Sequence, residues 1–145
     1  MTISPQLDIN AYNDVIWTVC TFPGTQDQIA NARRVVSALW ERHQDLDGLI
    51  LDDLLLLVSE LVSNAIRHTR SGQGGRVTLV IVALDSWTHV EVIDDGSPHI
   101  PRVMESDEST MGGRGLAIVD HIASRWGHYQ DLPSRRAVWF EMGAA

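Results

Sequence analysis

The apolar residues of the chain recur at two spacings, one typical of helices and one typical of strands. Helical spacing predicts a first helix that follows the N-cap Thr25, with Gln28 in the capping-box position, and runs to about Arg42. It predicts a second helix over residues 50–68 and a third over residues 115–126. The apolar stripe of the second helix comprises Leu51, Leu54, Leu55, Val58, Val62 and Ala65. This stripe is so apolar that we expect the second helix to pack on more than one side.

Shorter segments rich in branched and aromatic residues predict five strands. These cover residues 15–22, 76–84, 87–94, 127–131 and 137–142. Only Asp85 and Ser86 separate the second strand from the third, which predicts an antiparallel hairpin. The order of elements lacks the alternating βαβ units of a parallel dinucleotide-binding fold. We therefore predict an α+β fold, a two-layer α/β sandwich with helices on one face of a mixed, mostly antiparallel sheet.

Length and composition fit one folded domain. The chain has 145 residues, of which 44% are hydrophobic and 21% are charged. We expect residues 1–12 to be a flexible N-terminus and residues 13–145 to be the domain. One cysteine, Cys20, cannot form an internal disulfide, and the sequence shows neither a secretory signal nor a membrane span. These features predict a cytoplasmic protein.

Charge narrows the classes of function. The net charge is −8, and all 11 positive residues are arginine. An acidic chain without a basic run is a poor candidate for direct binding of nucleic acid or of an anionic membrane. The absence of lysine excludes a Walker-type phosphate loop. The six histidines lack the paired spacing of a zinc site, so each is expected to be an ordinary surface or partly buried residue.

The second predicted helix carries the first candidate for chemistry. Glu60 and Asn64 lie four residues apart and therefore share one helix face. Asn64 offers an amide oxygen suited to Mg²⁺, and Glu60 can accept a proton. A solvated polar face of an ordinary helix explains the same pair, and for these two residues alone it is the simpler explanation.

The second candidate lies at the end of the third predicted strand. Asp94 and Asp95 precede Gly96, so a carboxylate stands next to a residue that lets the backbone turn sharply or approach a ligand. Such a carboxylate can accept a hydrogen bond from an exocyclic amine, as on adenine. Either aspartate can fill this role, and Asp94 is favoured by the spacing Asp-x-Gly. A plain Asp-Gly turn remains the alternative.

The third candidate is the run Gly112, Gly113, Arg114 and Gly115 before the third predicted helix. Free N–H groups at a helix N-terminus attract phosphate, and glycine lets the backbone close on it. Arg114 adds a fixed positive charge with forked donors. A flexible hinge before the helix is the alternative interpretation.

The three motifs, in this order, resemble the N box and the two glycine boxes of the gyrase, chaperone, histidine kinase and mismatch-repair (GHKL) ATPase superfamily. The resemblance runs from about residue 15 to residue 142. The segments ELVSNAIRH, residues 60–68, and GGRGLAIV, residues 112–119, look most like the stand-alone anti-sigma-factor serine kinases of actinobacterial type. The resemblance implies a Bergerat-type sandwich that binds ATP with Mg²⁺.

The resemblance also implies a role for individual residues. Glu60 would be the catalytic base, Asn64 would ligate Mg²⁺ at the ATP phosphates, and Asp94 would accept from the adenine amino group. The remaining cofactor-binding positions would be Gly96 in the base pocket, Gly113 and Gly115 against the phosphates, Arg114 beside them, and Leu116 at the end of the second glycine box. Residues 97–112 would form a lid over the nucleotide.

The function implied by the resemblance is that of a regulatory serine/threonine protein kinase. It would act as an anti-sigma factor, phosphorylating an anti-anti-sigma (antagonist) protein and sequestering a sigma factor. A homodimer is among the implied assemblies. The sequence departs from the family at Pro98, which stands where the first glycine box usually has its second glycine and which has no N–H to offer. This departure supports the alternative of a non-catalytic ATP-binding module that controls a partner.

Overall fold

A five-stranded antiparallel sheet carries three helices in the computed structural model, which describes residues 15–42, 51–84, 86–97 and 115–143. The strands are β1 (Ile16–Pro23), β2 (Arg76–Leu84), β3 (Trp87–Asp94), β4 (Arg125–Leu132) and β5 (Arg135–Met142). The helices are α1 (Gln28–Arg42), α2 (Leu51–His68) and α3 (Gly115–Ile122), and a short 3₁₀ helix covers Arg70–Gly72. This architecture confirms the predicted α+β class.

The strand order in the sheet is β1-β2-β3-β5-β4. The hairpin of β2 and β3 forms as predicted, and each described pairing is antiparallel. The mixed character that we expected is therefore not seen among the described strands. The reason is the position of β5, which lies between β3 and β4 and so separates two strands that run in the same direction.

The hydrophobic core lies between the sheet and the helices. Alternate side chains of the central strands face it, among them Leu79 on β2, Val90 on β3 and Phe140 on β5, all fully buried. The buried residues of α2 are Leu54, Leu57, Val58, Leu61, Val62, Ala65 and Ile66. This helix packs against α1, α3 and the sheet. The prediction that it is covered on more than one side is thus confirmed.

Two helix boundaries differ from the sequence prediction. Helix α1 begins at Gln28. The expected capping box does not form, because the Thr25 hydroxyl and the Gln28 side-chain amide both donate to Asp27. Helix α3 ends at Ile122, and Trp126 belongs to β4. Trp126 pairs with Phe140 in the sheet, so tertiary pairing overrides the apolar spacing that suggested a longer helix.

The outer face of the sheet, opposite the helices, holds a buried polar cluster around His89. The His89 Nδ1 atom lies 2.7 Å from Glu141 and its Nε2 atom lies 2.9 Å from Glu91. The imidazole stacks on Trp139 with a centroid distance of 5.4 Å, and Trp87 lies 6.1 Å away. These two indoles cover the histidine, whereas on β1 of the same face Trp17 and Val19 remain exposed.

The polar cluster contains further partners that balance its charge. Arg125 donates to Glu141, and the Tyr129 hydroxyl donates to Glu91. Burial lowers the pKa of His89, but its hydrogen bonds to Glu91 and Glu141 outweigh burial and raise that pKa above the ordinary value. Burial raises the pKa of Glu91, but the bonds from His89 and Tyr129 bring it below its ordinary value. The cluster therefore favours the charged forms of His89 and Glu91.

Several expectations fall outside the described residues. These are the flexible N-terminus at residues 1–12, the lid beyond Ser97, and Gly112, Gly113 and Arg114 of the second glycine box. None of the helices in the described part of the chain combines the length and the apolar character needed to cross a membrane.

Candidate functional site

Helix α2 holds Glu60 and Asn64 on one face, one helical turn apart, as the sequence predicted. Both side chains are half-buried, whereas Leu61 and Ala65 beside them are buried in the core. The polar pair thus lies at the boundary between the core and the surface. A half-buried carboxylate and amide at such a boundary can both contact a ligand that lies against the helix.

The C-terminal end of α2 is joined to the turn that follows β3. The Thr69 hydroxyl donates to the carbonyl oxygen of Ala65 at 2.6 Å and accepts from the Ser71 backbone N–H at 3.1 Å, which closes the helix. The Arg70 backbone N–H, which follows Thr69 in the chain, donates to the Gly96 carbonyl oxygen at 3.0 Å. This bond links the helix that carries Asn64 to the turn that carries Asp94.

A second set of bonds strengthens this link, and we call it the Ser71 junction, comprising Ser71, Arg76 and Asp95. The fully buried Ser71 hydroxyl donates to the Arg76 carbonyl oxygen at 2.7 Å and accepts from the Asp95 N–H at 2.9 Å. The Asp95 carboxylate accepts from the Arg76 N–H at 2.8 Å. Gly75 is required there, because a Cβ atom at this position would lie 2.8 Å from the Ser71 Cα atom and 2.9 Å from the Arg70 carbonyl oxygen.

Asp94 is buried at the end of β3, on the same side of the sheet as Val90 and Val92 and therefore facing the helices. Its Oδ1 atom accepts from the Gly96 N–H at 2.7 Å. Gly96 has a φ of +84°, and a Cβ atom on it would lie 2.8 Å from the Ser134 carbonyl oxygen. The turn therefore needs glycine for its conformation and for the close approach of the backbone.

The structure separates the two neighbouring aspartates. Asp95 is committed to the Ser71 junction through its bond with the Arg76 N–H. Asp94 faces the helix layer, where its Oδ2 atom lies 3.5 Å from the Arg136 guanidinium. The sequence left open whether Asp94 or Asp95 contacts a ligand. The two residues have different partners, and Asp94 is the one whose carboxylate lies on the side of α2.

The second glycine box is described only from Gly115, where α3 begins. The Leu116 side chain is buried in the hydrophobic core together with Val119. Any contact between Leu116 and a ligand would therefore come from its backbone.

Sequence reasoning missed Ser71 and Arg136. Ser71 lies in a Gly- and Ser-rich stretch whose composition predicts a simple loop. Arg136 is placed beside Asp94 only by the pairing of β3 with β5, in which the two residues are directly opposite. Neither position has a local signal in the sequence.

A comparison with protein families shows to which family the chain belongs. The histidine kinase-like ATPase domain family matches residues 22–142. The chain belongs to this family. No curated protein matches it. As a histidine kinase-like ATPase domain, the chain is an ATP-binding domain of the GHKL type, which agrees with the resemblance of its three motifs.

The described residues of this histidine kinase-like ATPase domain fit an Mg²⁺ ion that binds together with a nucleotide. Among these residues, no group of three or more His, Cys, Asp or Glu side chains could hold a metal ion alone. Mg²⁺ commonly keeps several waters and uses one or two protein ligands plus phosphate oxygens. The Asn64 amide oxygen, half-buried on α2, suits that limited role.

Proposed function

We propose that the chain is an ATP-dependent serine/threonine protein kinase that acts as an anti-sigma factor in the cytoplasm. It would phosphorylate an antagonist (anti-anti-sigma) protein and sequester a sigma factor, without direct contact with nucleic acid. The observation that carries this proposal is the Glu60 and Asn64 pair on α2 of an ATPase domain, with the 3₁₀ helix that follows α2 hydrogen-bonded to the Asp94–Gly96 turn. The motif resemblance supports the finer assignment to anti-sigma-factor kinases.

Three described residues would bind and orient the nucleotide. Asp94 would accept a hydrogen bond from the adenine amino group, and Gly96 would let the backbone approach the base. Asn64 would direct its amide oxygen to Mg²⁺ at the phosphates. The ion would supply positive charge that balances the charge of the phosphate oxygens. The bond between Arg70 and Gly96 would hold the base-binding and phosphate-binding parts in register.

Glu60 would act as the general base. As the serine oxygen of the antagonist bonds to the γ-phosphorus, the bond between that phosphorus and the β,γ-bridging oxygen breaks and ADP leaves. Glu60 would take the hydroxyl proton. Gly113 and Gly115 would lie against the phosphates, with Arg114 stabilising the negative charge.

The test is transfer of labelled γ-phosphate from ATP to a purified candidate antagonist. Glu60→Gln should lower the transfer rate by roughly 10²- to 10⁴-fold, the usual contribution of a general base. ATP affinity, measured by calorimetry, should change little because the amide has nearly the same shape. Glu41→Gln, at an exposed position on α1, is the matched control and should transfer at the wild-type rate.

Transfer by the Glu60→Gln variant at the wild-type rate would contradict the assigned role of Glu60. A protein that binds ATP and its partner but transfers no phosphate would favour the second candidate, the non-catalytic ATP-binding module motivated by Pro98. In that case a Glu60→Ala variant should hold its partner with wild-type affinity.

A further inference from the structure

Arg136 lies directly beside the buried carboxylate of Asp94. The two residues are opposite each other in the pairing of β3 with β5, and both face the helix layer, since Arg136 shares its side of β5 with Val138 and Phe140. The Arg136 Nη2 atom is 3.5 Å from Asp94 Oδ2, and the side chains are only 15% and 2% exposed. This ion pair is therefore shielded from water. Charges in such a buried position interact more strongly than charges at the surface.

Burial and the neighbouring charges act in opposite directions on the pKa of Asp94. Burial raises the pKa of Asp94, and the neighbouring Asp95 charge raises it further. The Arg136 charge and the Gly96 N–H oppose these effects, yet the pKa remains above its ordinary value. Arg70 also lies nearby, with its guanidinium 3.5 Å from the place where a Cβ atom of Gly96 would be. Arg136 is thus the main described charge that favours the carboxylate.

The protonation state decides what Asp94 can recognise. An ionised carboxylate only accepts hydrogen bonds, and each of its oxygens has two lone pairs, whereas a protonated one presents an O–H donor. Oδ1 uses one lone pair for the Gly96 N–H, and Oδ2 faces Arg136. Acceptor capacity therefore remains for an amino group, provided that the carboxylate keeps its charge and orientation.

We propose that Arg136 is a positioning residue for base recognition, which holds Asp94 as an aligned hydrogen-bond acceptor for the exocyclic amino group of a purine nucleotide. This inference rests on the proposed function, because it takes Asp94 as the residue that reads the adenine amino group. It adds that the preference for an amino-bearing base depends on a residue of β5 that acts through Asp94.

The experiment compares ATP with purine riboside 5′-triphosphate, which lacks the amino group, by calorimetry between pH 5 and pH 9. Protonation of the phosphates affects both ligands alike and cancels in the ratio of their dissociation constants. In the wild type, ATP should bind about ten- to a hundredfold more tightly near neutral pH, the contribution of a hydrogen bond to a charged group. In Arg136→Met the preference should persist only at higher pH, since the carboxylate there ionises later.

Matched variants separate this role from a merely structural one. Arg136→Lys should restore the preference near neutral pH because it returns the positive charge. Asp94→Ala, which removes the acceptor, should lose the preference at every pH, and adding Arg136→Met to it should change the ratio no further. Arg42→Met, at an exposed position on α1, removes one arginine elsewhere and should behave as the wild type. Circular dichroism verifies that each variant is folded.

An Arg136→Met protein with the wild-type ratio and pH profile would overturn the inference while leaving ATP binding and kinase activity standing. If the Arg136→Met protein does not fold, Arg136→Gln, which also removes the positive charge, decides the same question. Equal binding of the two ligands by the wild type would overturn the inference together with the role of Asp94. Wild-type protein that binds neither ligand would refute nucleotide binding itself, and failure of phosphotransfer alone would bear only on the proposed kinase activity.

Discussion

The Ser71 junction offers the sharpest test of how the candidate site is held together. Ser71→Ala removes the hydroxyl that donates to the Arg76 carbonyl oxygen and accepts from the Asp95 N–H. Each lost hydrogen bond costs about 1 kcal/mol, and a buried backbone group left without a partner costs roughly 1–3 kcal/mol. Arg76 is exposed, so water can replace part of the loss there. We therefore expect the free energy of unfolding to fall by about 2–3 kcal/mol.

Urea denaturation followed by far-UV circular dichroism measures this loss, which corresponds to roughly 6–10 °C in melting temperature for a domain of this size. ATP affinity should also fall, because the junction fixes the turn of Asp94 against the end of α2. Ser86→Ala, at an exposed position between β2 and β3, is the matched control. A Ser71→Ala protein within about 0.5 kcal/mol of the wild type, the usual range for surface changes, would refute the reasoning.

Two further predictions concern the outer face of the sheet. The pKa of His89 is raised in the folded state, so its stabilising contribution is complete below the unfolded value of about 6.5 and is lost as pH rises through the folded value. The free energy of unfolding should therefore fall above neutral pH, and His89→Gln should flatten this decline in urea titrations from pH 6 to pH 9. Gly127→Ala places a Cβ atom 2.9 Å from the Trp139 ring, and we expect it to destabilise the protein by about 1–3 kcal/mol in the same assay.

Each of these two predictions can fail clearly. Identical pH profiles for wild type and His89→Gln would show that the histidine does not govern the alkaline decline. For Gly127, the comparison is Gly74→Ala, where a Cβ atom meets nothing within 4 Å but the φ of +86° is unfavourable. Equal losses at both positions would mean that the contact with Trp139 adds nothing.

Much of the fold was predictable because its signals are local. Strands β2 and β3 have the predicted bounds, since alternation and a two-residue connection define a hairpin without outside information. The described part of α2, Leu51–His68, lies within the predicted helix over residues 50–68. The boundary between α3 and β4 was wrong, because Trp126 fits an apolar helix spacing and only its pairing with Phe140 shows that it belongs to a strand.

In the candidate site, too, some residues were predictable from local spacing, and others are placed only by the pairing of strands. The spacing of Glu60 and Asn64 placed them on one helix face, since four residues make about one helical turn. Arg136 depends on the register between β3 and β5, which no local pattern encodes. His89 was expected to be an ordinary histidine and is buried between two carboxylates. His89 and Glu91 lie two residues apart and therefore on one face of β3. Glu141 lies opposite His89 only because β3 pairs with β5.

The position of β1 at the edge of the sheet has a consequence for folding. The hairpins β2–β3 and β4–β5 close over short loops, whereas β1 pairs with β2 only after α1 and α2 have been traversed. Long loops cost more entropy to close, so we expect β1 to join last and to open first, which faster amide exchange in β1 than in β3 would show and equal protection would contradict. Asn64, Asp94 and Arg136 lie on the end of α2, on β3 and on β5, and neither of these two strands pairs with β1 in the sheet. The pairing of β3 with β5 can thus persist while β1, with its exposed Trp17, opens from the edge of the sheet.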